Sequence, residues 1–399
     1  MQKVKKRRYR KALFTLIVLI GIGGLAYWAY NRPLPVSKPA LILNQSSALQ
    51  SASPGVSWSP YGEQAIAIIG QNLIANYGNQ NPLPVASIAK IMTALAILYQ
   101  RPLKLGQQGP SMTIGQNDVA TYQQELAQNE SVVQVSAGEQ LSEYQMLEAM
   151  LVPSSTNVAD SAAVWAFGSI SSYLAFANHY ALQLGLDHTH FAVDASGFSP
   201  ATVSTPQDLI RLGEVALTNP VIRQIVSQSS ITLPVAGTLQ NFNIDLGDEG
   251  IVGIKTGNTD EAGGAFLFAA RYQSFSIIGA ILGAPDLGTA LHDAPEILSS
   301  FESSVQTEKI INSGQEVASY KLPWGGSIEA VAEKPITITE WANDKPGIQV
   351  SVNLLQTGQH AGTTVGTVKI SYRGTTIATP VVLKNSLPSP SIWWRISHL

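Results

Sequence analysis

The sequence predicts an α/β (α+β) domain set between an N-terminal membrane-spanning helix and a small all-β domain. Three observations carry this. Residues 12–30 (ALFTLIVLIGIGGLAYWAY) are an uncharged, mostly apolar run behind a cationic leader. Residues 60–306 mix short β-rich runs with Ala- and Leu-rich helical runs. Beyond about Thr307 alternating runs take over, joined by Gly-containing turns.

Composition sets the outer limits. The chain has 399 residues, 45% of them apolar and 13% charged, so it is globular, with ample core and length for two or three domains. The net charge of −3 hides an asymmetry. Residues 1–11 carry seven cations and no acid, leaving 17 Lys+Arg against 27 Asp+Glu in the rest. A folded part that acidic excludes a nucleic-acid binder, which needs a basic face. Cysteine is absent, which excludes disulfides, thiolate zinc sites and cysteine nucleophiles.

Residues 12–30 extend about 28 Å as a helix, close to the ~30 Å hydrocarbon core. The basic segment 1–11 precedes them, and Tyr27, Trp28 and Tyr30 form an aromatic belt at the far end. The charge bias puts the N-terminus in the cytoplasm and everything after Tyr30 outside. The run is expected as an uncleaved anchor rather than a cleaved signal, because no small-x-small site precedes Asn31. Residues 31–59, rich in Pro, Ser, Ala and Gln, are expected as a linker.

The elements then follow in order. Ala65–Ile69 and Leu73–Tyr77 read as strands around Gly70-Gln71-Asn72, a hairpin signal. The run from Ser87 to Leu98 (SIAKIMTALAIL) reads as a buried helix. Gln100 to Gln140 is mixed and polar. Helices are expected over Leu141–Met150, Val158–Phe167 and Ile170–Leu184, with a turn cluster at 153–157 (PSSTN) between the first two. A further helix follows the cap signal at 204–208 (STPQD) and runs to about Leu217. Ile251–Ile254, Ala265–Tyr272 and Ser276–Gly283 read as strands, and Asp286 to about Gln306 as a long helix. The β domain, residues 307–385, holds runs at Gln349–Leu354, Thr364–Tyr372 and Thr375–Leu383, with a turn at Tyr372-Arg373-Gly374. The tail, 386–399, contains Trp393 and Trp394 and reads as a packing segment or an interfacial contact.

Candidate chemistry begins at Ser87-Ile88-Ala89-Lys90. Serine and lysine at i and i+3 share a helix face. Lys90 is the only charged residue between Gln64 and Gln100. A buried, unpaired ammonium escapes its cost by a lowered pKa. A neutral amine beside a hydroxyl is a general base beside a nucleophile. The second stretch is Ile251–Gly263 (IVGIKTGNTDEAG), where a strand carries Lys255, Thr256 and Gly257. A lysine, a hydroxyl and a glycine on a strand edge suit a carboxylate and a close ligand backbone.

These blocks, in this order, resemble the low-molecular-mass penicillin-binding proteins, the serine-type D-alanyl-D-alanine carboxypeptidases, whose pattern is S-x-x-K, S-x-N and K-T-G. "PVASIAKIMTAL" matches the first block and "GIKTGNTDEAGGAFLFAA" the third, while "DASGFSP…STPQDL" resembles a further family block. The resemblance covers about Ala65 to Ser303, and an appended β domain also fits it. One block departs. The literal S-x-N is Ser155-Thr156-Asn157, but the flanks align without a gap only if the motif serine is Ser154. Thr156 then takes the asparagine position and Asn157 follows. Ser154 is favoured, with Ser155 the alternative.

The resemblance implies a serine β-lactamase/transpeptidase-like domain over residues 60–306, with an antiparallel sheet flanked by helices. It implies Ser87 as nucleophile, Lys90 as its base and Ser154 as proton relay to the leaving amine. Backbone N–H groups of Ser87 and Asn258 would form the oxyanion hole. Lys255, Thr256 and Gly257, with Asn258, Thr156 and Asn157, would bind substrate. The implied partners are a peptidoglycan stem peptide, β-lactam antibiotics and the cytoplasmic membrane, without metal or cofactor, on the outer side of a bacterial cell membrane. Threonine for asparagine loses an amide donor, which leaves a weakly active or inactive penicillin-binding protein as an alternative. A class A β-lactamase is a second one, but it requires a deacylating glutamate in an E-x-x-L-N string, and none occurs. A metal hydrolase has little support, since His188 and His190 are the only close pair among six histidines.

Overall fold

The computed structural model describes residues 2–43, 55–71, 74–272, 275–341, 346–372 and 375–398. Asn72 of the expected hairpin turn 70–72, Leu73 of the strand expected after it, Arg373 and Gly374 of the expected turn 372–374, and part of the expected linker lie outside them. The chain divides into two compact units. One comprises residues 52–306 and 340–342, the other residues 1–51, 307–339 and 343–399.

Helix α1 (Gln2–Asn31) opens the chain. Its stretch Tyr9–Asn31 is long and apolar enough to cross a membrane, and 6% of its most apolar window is buried.

The larger unit is built on a five-stranded antiparallel sheet. Its strands are β1 (Glu63–Ile68), β2 (Ile74–Tyr77), β3 (Ile251–Thr259), β4 (Gly263–Arg271) and β5 (Ser276–Ala284), in the order β3-β4-β5-β1-β2. β1 joins strands far from it in sequence, pairing Ile66 with Gly279 of β5. β4 is buried over nearly its whole length, the mark of a central strand covered on both faces. β3 is an edge, so its outer side is free to face a ligand.

Helices cover the sheet. They are α2 (Lys90–Gln100), α3 (Gln116–Ala127), α4 (Glu143–Leu151), α5 (Thr156–Phe167), α6 (Ile170–Gln183), α7 (Pro206–Thr218), α8 (Pro220–Val226) and α9 (Leu287–Ser304). Side-chain oxygens hold several starts: Ser142 with Gln145 forms a capping box on α4, and Asp286 accepts from Thr289 on α9. α2 is the hub of the helical layer, buried from Lys90 to Leu98. Two expectations change here. The run expected as one helix from Ser87 opens instead with a 3₁₀ turn, Ala86–Ala89, and the α-helix starts at Lys90. The polar stretch after Gln100 holds α3, whose few apolar residues gave no periodic signal.

In the other unit six strands form one antiparallel sheet, in the order Pro39–Leu41, Glu316–Lys321, Ser327–Ala332, Thr375–Leu383, Thr364–Tyr372, Gly347–Val352. The first of these lies in the segment expected as a linker. Three residues are too few to show alternation, and Glu316–Lys321 supplies the pairing. The tail is helical, as α10 (Ile392–Ser397). It meets the end of α1 through the Arg395 guanidinium, which donates to the carbonyls of Tyr30 at 2.6 Å and Ala29 at 3.3 Å. Cations are favoured at those unpaired carbonyls.

Candidate active site

A cleft of ≈ 660 Å³ opens where the 3₁₀ turn, the α4–α5 connection and β3 converge. Each side chain on it is delivered by a local rule. In a 3₁₀ turn residues i and i+3 nearly eclipse. The Lys90 amine therefore lies against Ser87, donating to Oγ at 2.7 Å. Lys90 is fully buried while Ser87 lines the cleft. Burial lowers the Lys90 pKa to about 8, against the opposing pull of Asp194, Asp160, Glu125 and Glu130. A fraction of the amine is therefore neutral near pH 7 and can take the Ser87 proton.

The turn is packed tightly from two sides. Ala86 precedes Ser87 with φ +46°, a conformation non-glycine residues rarely adopt. A Cβ on Gly257 would come within 3.0 Å of Val85 O and 3.1 Å of Ser87 N. A side chain at Gly257 would press on the Ser87 turn, so glycine suits the close approach of β3 to it, as well as lining the cleft. The loop 194–199 supports the turn from beneath. Asp194 accepts from the backbone N–H groups of Ser196, Gly197, Phe198 and Ser199. A Cβ on Gly197 would meet Ala86 O at 2.1 Å.

The second serine–lysine contact comes from distant segments. Lys255 of β3 donates to Ser154 Oγ at 2.9 Å and to Thr256 O at 3.0 Å. Lys255 is 1% exposed and stands behind the cleft wall, whereas Thr256 and Asn258 are on it. A lysine that suits a carboxylate is expected to carry a charge. Burial, and secondarily Lys90, instead push its pKa well down. Two buried amines oppose each other's protonation. Ser154 is held at φ +62° in the connection before α5.

Two expected site residues point elsewhere. Ser155 is 0% exposed and is the N-cap of α5, accepting from Val158 N at 3.2 Å. Its hydroxyl donates to Asn157 Oδ1. Asn157 binds the Val133 backbone through both ends of its amide, each at 3.0 Å. Both side chains are engaged by local structure, and neither the alternative motif serine Ser155 nor the expected substrate contact Asn157 lines the cleft. Thr156 faces the cleft, with its hydroxyl donating to Glu125 Oε2 at 2.6 Å.

Glu125 and Glu130 are the residues missed in the sequence. They lie in a polar stretch with no motif, and only the fold brings them to Thr156. Burial raises Glu125 to about 7 and Glu130 above its usual value, while the Thr156 hydroxyl opposes both. Asp160 is also raised to about 7 by burial.

A protein-family model described as D-alanyl-D-alanine carboxypeptidase matches residues 66–286. The D-alanyl-D-alanine carboxypeptidase of Streptomyces sp. (strain K15) is 29% identical over 229 residues, covering 53% of this chain and 76% of that protein. The carboxypeptidase DacA of Escherichia coli (strain K12) is 24% identical over 330 residues, covering 78% of this chain and 79% of that one. Among solved structures, penicillin binding protein 5 from Haemophilus influenzae shares the fold, with a TM-score of 0.60 at 18% identity, over 86% of this chain and 100% of that chain.

Proposed function

Because this chain belongs to the D-alanyl-D-alanine carboxypeptidase family, we propose that Ser87 is its acylated nucleophile, acting on the D-alanyl-D-alanine end of a peptidoglycan stem peptide. The chain is a low-molecular-mass penicillin-binding protein, a serine hydrolase with D-alanyl-D-alanine carboxypeptidase activity. The observation that carries the residue assignment is the 2.7 Å contact between a cleft-lining serine and a fully buried lysine with no other partner than that hydroxyl among the described hydrogen bonds.

In this reading Lys90 takes the Ser87 proton as Oγ attacks the carbonyl between the two alanines. The N–H groups of Ser87 and Asn258 face the developing oxyanion, each worth about 3–4 kcal/mol of barrier when well aligned. Ser154, backed by Lys255, delivers the proton to the departing amine. Thr256 receives the terminal carboxylate. Water then hydrolyses the acyl-enzyme. β-Lactams acylate the same serine. We also infer that α1 crosses the cytoplasmic membrane with its basic end inside, so that the cleft faces the cell wall.

The test uses the full chain in detergent with a diacyl-D-Ala-D-Ala peptide and with labelled penicillin. Wild type is expected to release D-alanine and retain label, and Ser87→Ala to do neither, with a loss on the order of 10⁴-fold or more. Label retained by Ser87→Ala, or a wild type inert in both assays, overturns the assignment.

A further inference from the structure

Hydrolysis of the acyl-enzyme needs a base that meets water entering from the cleft, and Lys90 and Lys255 both lie beneath its surface. The carboxylates on the wall are few. Asp286 is occupied, its side chain accepting from Thr289 N and Oγ1 at the start of α9. Asp260 and Glu261 sit in the exposed turn after β3. Glu130 is different. α3 closes with Asn129 at φ +57°, Glu130 N donating to Glu125 O at 3.1 Å and Asn129 N to Leu126 O at 3.2 Å. This is the six-to-one and five-to-two pattern of a Schellman cap. It fixes Glu130 half-buried on the cleft wall beside Ser131, Ser154 and Thr156. Thr156 in turn is anchored by its N–H, which donates to Ser131 O at 2.7 Å, and by its hydroxyl, 2.6 Å from Glu125 Oε2 and 3.1 Å from Ser131 O. Through its hydroxyl the residue at the asparagine position ties the Glu125 carboxyl to the cleft wall on which Glu130 also stands.

Resting on the reading of Ser87 as the acylated serine, we propose that Glu130 is the general base of deacylation, held in place by Thr156 and Glu125. The water oxygen attacks the acyl carbonyl carbon and its proton passes to the Glu130 carboxylate. The tetrahedral intermediate then collapses, the bond from carbon to Ser87 Oγ breaks, and the proton returns to that oxygen. The acyl product leaves as a carboxylic acid. Glu125 is the positioning residue: its carboxyl holds the Thr156 hydroxyl and, as a second nearby acid, favours a single shared negative charge. The charged and titratable groups facing this pair are Lys90 from α2, Asp160 from α5 and Asp194 from the supporting loop, with Lys90 drawing Glu130 toward ionisation. A glutamate in this place does for this chain what the absent E-x-x-L-N glutamate does in class A β-lactamases.

Acylation and deacylation are separable in the experiment. Full-length Glu130→Gln is expected to take up labelled penicillin within about threefold of the wild-type rate and to release it at least tenfold more slowly. In rapid-quench mass spectrometry with diacyl-L-Lys-D-Ala-D-Ala, the Ser87 acyl-enzyme accumulates, and kcat and KM fall together. Glu130→Asp, shorter by one methylene, regains part of the release rate. Glu125→Gln shifts the pH dependence of release without removing it. Release from Glu130→Gln at the wild-type rate overturns the proposal. So does loss of acylation in both Glu130 variants with circular dichroism unchanged, which marks a structural role. A wild type that is never acylated overturns the Ser87 reading itself.

Discussion

Ser87 and Lys90 stand three residues apart and meet at 2.7 Å, while Ser154 and Lys255 stand 101 residues apart and meet at 2.9 Å. Both lysines are buried and both are pushed toward the neutral amine, chiefly by loss of water. The contacts are alike, but their origins are not. The first needs only a helical turn, so any fold that forms the turn forms the pair. The second needs the α4–α5 connection and an edge strand brought together by the whole domain. Access differs too. Ser87 sits at the start of a helical run with open cleft above it, where an anion is favoured. Ser154 is 4% exposed and held at a left-handed φ. In the proposed mechanism the first serine attacks and the second passes a proton.

Removing the long-range hydroxyl should break this comparison most visibly. Ser154→Gly suits the positive φ and deletes only the hydroxyl and its Cβ. Its expected effect is a ~10²–10⁴-fold fall in the rate of acylation by labelled penicillin, with the melting temperature retained. An unchanged rate would leave Ser87–Lys90 as a self-sufficient pair and Ser154 as packing.

The short-range pair has its own signature in pH. Its active form is the neutral amine, so acylation should rise with pH, about tenfold per unit, and level off above the Lys90 pKa of about 8. The measurement is the second-order acylation rate from pH 5 to 9. A profile flat below pH 8 excludes Lys90 as the base.

The smallest effect separates Ser154 from its neighbour. Ser155 caps α5 and contacts nothing in the cleft, so Ser155→Ala should cost about 1 kcal/mol of stability. In a domain of this size that lowers the melting temperature by about 2–4 °C. Acylation stays within about twofold of wild type. A large kinetic loss with little thermal effect would return the motif role to Ser155.

These contrasts follow what each residue's position allows a reader to see. Ser87-x-x-Lys90 was legible because its geometry is local and because an isolated lysine in an uncharged run is a chemical anomaly. Ile251–Gly263 was legible as a strand with a lysine, and the comparisons agree on the family those blocks resembled. Helix α3 was not, since its apolar residues are too few to mark a face, and Glu125 and Glu130 went unseen with it. Strand Pro39–Leu41 was read as linker because three residues carry no period. At residues 154–157 the letters offered two serines and an asparagine; the spacing of the flanks favoured Ser154, and the fold puts Ser155 at a helix cap and Ser154 on the cleft.

The sequence by itself determined the apolar span of α1 and the Ser87–Lys90 pair, because each depends on residues near one another along the chain, and the order of the family's blocks is read directly along it. Tertiary structure alone decided that Lys255 reaches Ser154 from behind the wall, that Asn157 is spent on the Val133 backbone, and that Thr156 meets Glu125. Those outcomes depend on which groups lose water together and on which donor finds which acceptor. Such matters are set only when segments 24 to 101 residues apart are packed against each other.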